Sequence, residues 1–410
     1  MKVLFVATTF PIPPHAGASV ALLETLKSIN QLCELHLIVP HPGADSDSKI
    51  ATLNERVPNI ALHLYKQNLS ESTFRKYSKA ALSTFSGRSF HSSLWMDTNL
   101  RQTVIRLHNE HTFDIVHCEW LYAAIAIRGL NLPMVVRTLD LHSVIMRDGV
   151  AEMPESKRLR KSFWRREAER FRQFEIAVLN DALFCITLSP EDEQVLRSEG
   201  VLRLIRIPPP MSLPPLPETT PHGATALFLC MLHASVNRES SFLFTDQIWP
   251  LVKSDVQKQL RVIFAGGRPD AEARQRAAEC GIEVHAPLSD EEARQLYAQA
   301  NIFISPIKTG TGIKTKTQEA MSNAKPIIGF PNSFRGVPVV NGRDALVVNS
   351  NAEFARGLET LVVDPDLRQR IGQSARALVD VAFNPQTLGH ELMKAYADGL
   401  SSSRTSRVAS

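Results

Sequence analysis

Aromatic residues are scarce, at 7% of the chain, and there are only five cysteines, Cys33, Cys118, Cys185, Cys230 and Cys280. The cysteines are scattered, odd in number and never spaced Cys-x-x-Cys. That spacing argues against a zinc site or a disulfide framework and for the reduced, buried thiols of a cytoplasmic protein. No run approaches the roughly 20 apolar residues that a membrane span needs. The opening MKVLFVATTF lacks the cleavage pattern of a signal peptide and reads as a buried first strand. No charge dominates: 46 Lys and Arg against 42 Asp and Glu leave +4, which by itself does not argue for a nucleic-acid partner. No acidic cluster of metal-ligand type is recognised, so no metal is expected.

What the chain has is length and apolar content. Its 410 residues exceed one ordinary domain, and 44% apolar with 21% charged residues suits packed cores rather than disorder. Short apolar runs (KVLFVA, CELHLIVP, DIVHCE, PMVVRTLDLH, ALFCITLS) alternate with helical patterns. That rhythm predicts a parallel sheet with helices on both faces. A proline-dense stretch, in which neither helix nor central strand can persist, interrupts it. The rhythm then restarts with TALFLCML, LRVIFAGG, IFISPI and KPIIGF. The fold class expected is α/β, with two Rossmann-like domains facing a central cleft. The boundaries are 1–206, a linker at 207–222, a second domain at 223–384, a helix at 385–400 and a flexible tail at 401–410.

Ligands of open α/β sheets bind at the carboxyl ends of strands. One such loop is KTGTGIKTKTQEAMSNAKPIIGFP, Lys308 to Pro331. Gly310 and Gly312 let backbone N–H groups approach a ligand, and a helix N-terminus follows that favours anions. Lys314 and Lys316 add charge, and Glu319 is placed to accept hydrogen bonds from a ribose diol. The plain alternative is a strand–loop–helix joint with solvated lysines.

This loop resembles the donor-binding loop of GT-B fold glycosyltransferases. It is most similar to the large retaining family four, the glycosyl transferases group 1. SDEEARQLYAQANIFISPI upstream and NGRDALVV downstream resemble further segments of that family, in order. So do FLCMLHASVNRESSFLFTDQIWPLV, the N-terminal MKVLFVATTFPIPPHAGASVALLETLKSI, FDIVHCEW and LDLHSV. The resemblance implies a nucleotide diphosphate sugar as donor substrate, with no other cofactor. Glu319 would hold the ribose, and the backbone of Thr309, Gly310, Thr311, Gly312 and Ile313 would hold sugar and pyrophosphate. Lys316 or Lys314 would neutralise the leaving group. Gly17 would lie near the phosphates and His142 beneath the transferred sugar. His142, Lys316 and Glu319 are therefore the catalytic candidates. The last helix would cross back to the first domain.

The chain departs from the family pattern in three places. Thr311 stands where a first glutamate is common. Cys230 and Met231 replace a Gly-Arg pair, with Arg238 as a candidate substitute for the missing cation. The N-terminal loop has a single glycine. His15, His117 and Glu119 are weaker candidates at strand ends, Asp140 reads as a loop-orienting residue, and His142 itself has a purely structural alternative. The basic segment Ser156–Glu175 reads either as an ordinary surface helix with i,i+4 charge pairs or as a face meeting anionic lipid. The expected partners are a nucleotide sugar and a carbohydrate, lipid-linked or protein acceptor. The expected location is cytoplasmic, with peripheral contact at the membrane's inner face. Rival readings are a non-catalytic GT-B subunit and a nucleotide-sugar epimerase.

Overall fold

The computed structural model describes residues 1–14, 17–67, 89–151, 153–211, 213, 216 and 223–408. They form two compact units. The first comprises Met1–Pro13, Thr25–Pro209 and Gln386–Ser410, and the second Pro14–Glu24 and Pro210–Pro385.

The first unit is built on a seven-stranded sheet. Its strands are β1 (Lys2–Ala7), β2 (Glu34–Pro40), β3 (Ala61–Tyr65), β4 (Ile115–Glu119), β5 (Met134–Thr138), β6 (Phe184–Thr187) and β7 (Leu204–Arg206). The order is β3-β2-β1-β4-β5-β6-β7 and every pair is parallel. The second unit holds β8 (Ala224–Cys230), β9 (Leu260–Gly266), β10 (Glu283–His285), β11 (Ile302–Ser305), β12 (Ile327–Gly329) and β13 (Leu346–Val347). These are also parallel, in the order β10-β9-β8-β11-β12-β13. The apolar runs of the sequence become strands with no solvated face: β4, β5, β8 and β11 are buried throughout, as parallel sheets under two helical layers require.

Each sheet reverses its order at one point, between β1 and β4 in the first and between β8 and β11 in the second. At such a point neighbouring connections leave in opposite directions and the carboxyl ends of the strands open onto a crevice.

The last helix, Pro385–Val408, packs within the first unit. Tyr396 on it is fully buried. A Cβ at Gly389 would lie 2.5 Å from the Ser28 carbonyl, and one at Gly399 would lie 2.7 Å from the Phe184 ring. This helix continues beyond residue 400, which corrects the flexible tail expected there. No glycine or proline follows Gly399 to end it. The Ser401 and Ser402 hydroxyls donate to the carbonyls of Ala397 and Asp398 one turn back.

Candidate functional site

In the second unit the reversal point places two strand ends side by side. From β11 the chain enters the glycine loop and then the helix Thr315–Ser322. Gly310 (φ 100°) and Gly312 (φ 71°) both occupy left-handed backbone that side chains resist. Lys314 Nζ turns back onto the carbonyls of Thr311 (2.7 Å) and Gly312 (3.4 Å). The Asn332 amide holds the Thr309 carbonyl at 2.6 Å, and Ile313 is half-buried. The loop is thus shaped by its own polar side chains.

On the helix, Lys316 Nζ lies 2.8 Å from both carboxylate oxygens of Glu319. Tyr297 donates from its hydroxyl to Glu319 Oε2 at 3.4 Å. The two sequence-predicted residues are therefore a bidentate pair, one helical turn apart and largely buried. Gly17 begins its own helix, Gly17–Ile29, and a Cβ there would come to 2.6 Å of Thr315 Oγ1, so this glycine permits a close approach to the start of the Thr315–Ser322 helix. Sequence reasoning overlooked Gln318, which is fully buried and has neither amide atom bonded among the described residues. Its only signal was its place beside Glu319.

A cavity of about 570 Å³ opens at the carboxyl ends of β8, β9 and β10, with Leu229, Cys230, Pro287, Leu288 and Lys316 among its walls. Burial pushes the Cys230 thiol up, against the pull of the Lys316 charge, so it is no nucleophile. Gly266 closes β9 at φ 126°, and a Cβ there would sit 1.9 Å from the Cys230 carbonyl oxygen. Gly266→Ala is expected to cost more than about 2 kcal/mol, read as a lower urea midpoint of the second unit. Arg238, the expected substitute cation, is engaged elsewhere. It pairs with Asp270 (2.6 Å) and Glu272 and lies over the Phe242 ring.

In the first unit His142 opens the helix His142–Ala151. The Glu175 carboxylate accepts from the backbone N–H groups of His142 (3.2 Å) and Ser143 (3.1 Å) and so caps that helix. The imidazole packs against both Trp120 and Tyr122, with Nδ1 3.2 Å from the Tyr122 hydroxyl and Nε2 buried and unbonded among the described residues. Burial lowers its pKa to about 4, so His142 is neutral near pH 7. Trp120, directly after β4, has φ 86°. Such strain in a bulky residue is characteristic of functional loops.

His117 and Glu119 belong to an interior chain. Tyr396 donates to His117 Nδ1 (2.7 Å), His117 Nε2 donates to Glu119 Oε2 (3.0 Å), and Arg137 reaches Glu119 Oε1 (3.4 Å) and Thr25 Oγ1 (2.7 Å). All but Thr25 lie on β4, β5 or the last helix, and all are buried. The weaker candidates His117 and Glu119 thus hold the first unit together, and His15 lies outside the described residues. The basic segment is the helix Arg158–Asn180, which buries Glu167, Ala168, Phe171 and Glu175 and leaves Leu159 91% exposed. Two Asp-x-Asp pairs do occur, at Asp45–Asp47 and Asp364–Asp366. Asp45 and Asp364 stand at the N-cap positions of helices, and no group of three or more ligating side chains is found among the described residues. No described helix is long and apolar enough to cross a membrane.

Residues 223–364 match the family model described as glycosyl transferases group 1. Over 365 residues, 87% of this chain and 89% of the relative, the protein is 21% identical to an uncharacterized 44.6 kDa protein in the cps region of Klebsiella pneumoniae. It is also 24% identical over 136 residues to an uncharacterized glycosyltransferase of Methanocaldococcus jannaschii, 32% of this chain and 35% of that one. Among solved structures it is similar to HepE of Anabaena in complex with UDP and glucose (TM-score 0.66, 15% identity, covering 97% of this chain and 99% of that one). It is similar too to sucrose-phosphate synthase of Thermosynechococcus elongatus (0.68, 15%, 98% and 100%). A third is TarM of S. aureus in complex with fondaparinux, alpha-GlcNAc-glycerol and UDP (0.69, 10%, 97% and 100%). The match to glycosyl transferases group 1 thus lies on residues 223–364, and the chain has the GT-B fold.

Proposed function

We propose that this protein moves a hexose from a nucleotide diphosphate sugar to a carbohydrate, lipid-linked or protein acceptor, with retention at the anomeric carbon and without a metal ion. The observation that carries the reading is the loop from Thr309 to Lys314. It leaves a strand at the sheet's reversal point and delivers Lys316 and Glu319, paired, on the first turns of the next helix. HepE and TarM, which share the fold, were crystallised with UDP, and this supports a nucleotide sugar as donor. Glu319 accepts from the ribose hydroxyls, and the loop amides face the sugar and diphosphate. Transfer builds charge on the departing diphosphate, and fixed N–H groups, the helix N-terminus and Lys316 stabilise it as it forms. In the first unit, neutral His142 keeps Nε2 unbonded among the described residues and offers it to a hydroxyl of a sugar bound there. No carboxylate nucleophile is assigned.

The proposed setting is bacterial surface polysaccharide or glycoconjugate synthesis in the cytoplasm. The helix Arg158–Asn180 would then meet the anionic inner face of the membrane, which the exposed Leu159 among arginines and lysines supports.

A panel of nucleotide sugars tested by thermal shift, on wild type and Glu319→Ala, decides the donor reading. A donor at 100 times its Kd stabilises the native state by about 2.7 kcal/mol, or roughly 5–10 °C in a domain of this size. The variant is expected to lose that shift; no shift with any nucleotide sugar at millimolar concentration would sink the reading. Cys230 and Met231 in place of Gly-Arg favour one second reading, a subunit that binds a nucleotide sugar without turnover. Release of nucleotide from the donor that binds would exclude it.

A further inference from the structure

We infer that Arg268, at the end of β9, supplies the cation for the donor's diphosphate that the chain lacks after β8, an inference that rests on the donor site proposed above. A nucleoside diphosphate brings two or more negative charges into the second unit, and the other cations near the site are already committed. Lys316 shares its charge with the Glu319 carboxylate, so on its own it offsets only part of the diphosphate's charge. Lys314 is turned onto loop carbonyls. Lys308 stands over the Phe330 ring, 4.5 Å from its centroid, and donates to Asn351. Arg238 is held by two carboxylates and a ring. Met231, directly after β8 and also lining the cavity, is uncharged.

Arg268 differs from all of these. It lines the 570 Å³ cavity together with Met231 and Lys316, and it makes no hydrogen bond or ion pair among the described residues. The backbone beneath it is built for close approach. Gly266 cannot carry a side chain, and a Cβ at Gly267 would meet His233 Nδ1 at 2.6 Å. His233 lines the same cavity, and Asp290 is the one carboxylate among its described lining residues. The planar guanidinium takes two phosphate oxygens at once, which an ammonium does not. Leu229, Pro287 and Leu288 line the same cavity, so it offers apolar surface for a base as well as charge for the phosphates. The positive charge has moved from the end of one strand to the end of its neighbour in the sheet, since β8 pairs with β9 up to Cys230 and Gly266.

The test is calorimetric titration with UDP, GDP and ADP, and with the nucleoside of whichever binds. The proteins are wild type, Arg268→Gln, Arg268→Lys, Arg238→Gln and the double variant Arg268→Gln/Met231→Arg. Loss of a charge-assisted phosphate contact is worth about 10- to 100-fold in affinity. Arg268→Gln is expected to weaken the diphosphate by that factor and to flatten its salt dependence. Binding of the nucleoside and the ligand-free melting temperature should stay unchanged. Arg268→Lys should recover part of the loss, and adding Met231→Arg to Arg268→Gln should recover most of it. If Arg268→Gln binds the diphosphate like wild type, or weakens nucleoside and diphosphate alike, the inference is wrong. If Arg238→Gln alone shows the loss, the charge comes from the other arginine and the inference is again wrong. Retained loss in Glu319→Ala with none in Arg268→Gln would leave the donor reading standing and remove only this one. If no nucleoside diphosphate binds wild type at millimolar concentration, both fall.

Discussion

Arg137→Met is expected to destabilise the first unit by about 3–5 kcal/mol, the range for removing one partner of a buried ion pair. The Arg137 side chain is fully buried, yet only Nη1 is bonded; Nε and Nη2 have no partner among the described residues. Its contacts are Thr25 and Glu119. Burial pushes the Glu119 carboxyl up, but the Arg137 charge and the His117 hydrogen bond outweigh it and hold the group below the usual range. Without Arg137 that carboxylate is a buried charge facing one neutral imidazole. The arginine is itself poorly satisfied, so replacing the pair should cost less than replacing one member. Arg137→Met/Glu119→Gln is expected to regain at least about half of the loss, because the amide still accepts from His117. Urea midpoints of the three proteins give the coupling directly. A single variant within about 1 kcal/mol of wild type would show that the pair is dispensable.

Acid should unfold the first unit well before its carboxylates titrate as a group. Burial lowers the pKa of His117 and of His142 to about 4, and His36, His63 and His91 shift the same way. Between pH 6.5 and 4 the unfolded chain binds protons at these positions that the folded chain refuses, so stability falls as pH falls. The contribution is fully present above about pH 6.5 and is lost on the way to 4. For the fully buried His117 it amounts to about 3 kcal/mol, at 1.36 kcal/mol per pKa unit. Glu175 works the other way: burial raises its pKa, so it favours the folded state on the acid side. The hydrogen bonds fix the tautomer of His117. Nδ1 accepts from the Tyr396 hydroxyl, so the proton sits on Nε2 and is given to Glu119. His117→Gln is expected to flatten the dependence of the urea midpoint on pH between 6.5 and 4. An unchanged slope would mean that His117 is protonated in the fold.

The fold class was legible because parallel strands buried on both faces are written as continuous apolar runs, and KVLFVA, DIVHCE, ALFLC and IFIS announce themselves. The order of the strands was not. Nothing within LRVIFAGG says that it pairs with β8 rather than β11. In the loop from Lys308 to Glu319 residue types and spacing pointed to Lys316 and Glu319, and the fold pairs them. Side chains whose meaning depends on distant partners stayed hidden. Arg238 looked like a free cation in NRES until Asp270 and Glu272 were brought to it, and Arg268 in GGRPD was not singled out. His117 and Glu119 read as strand-end polar groups because Tyr396, which fixes them, is 279 positions away. The end of the last helix was misjudged because serine and arginine suggest a tail, whereas serine hydroxyls bonded one turn back are compatible with continued helix.

That helix has a consequence for how the protein is made. The first unit is interrupted by the second and closed by residues 386–410, so its core is unfinished until those residues have been made. At about 5–20 residues per second, His117 waits roughly 15–55 s for Tyr396 to leave the ribosome. During that interval the second unit, Pro14–Glu24 together with Pro210–Pro385, has all of its strands and can fold. The first unit is therefore completed after the second, and His117 lacks its Tyr396 partner until that helix arrives.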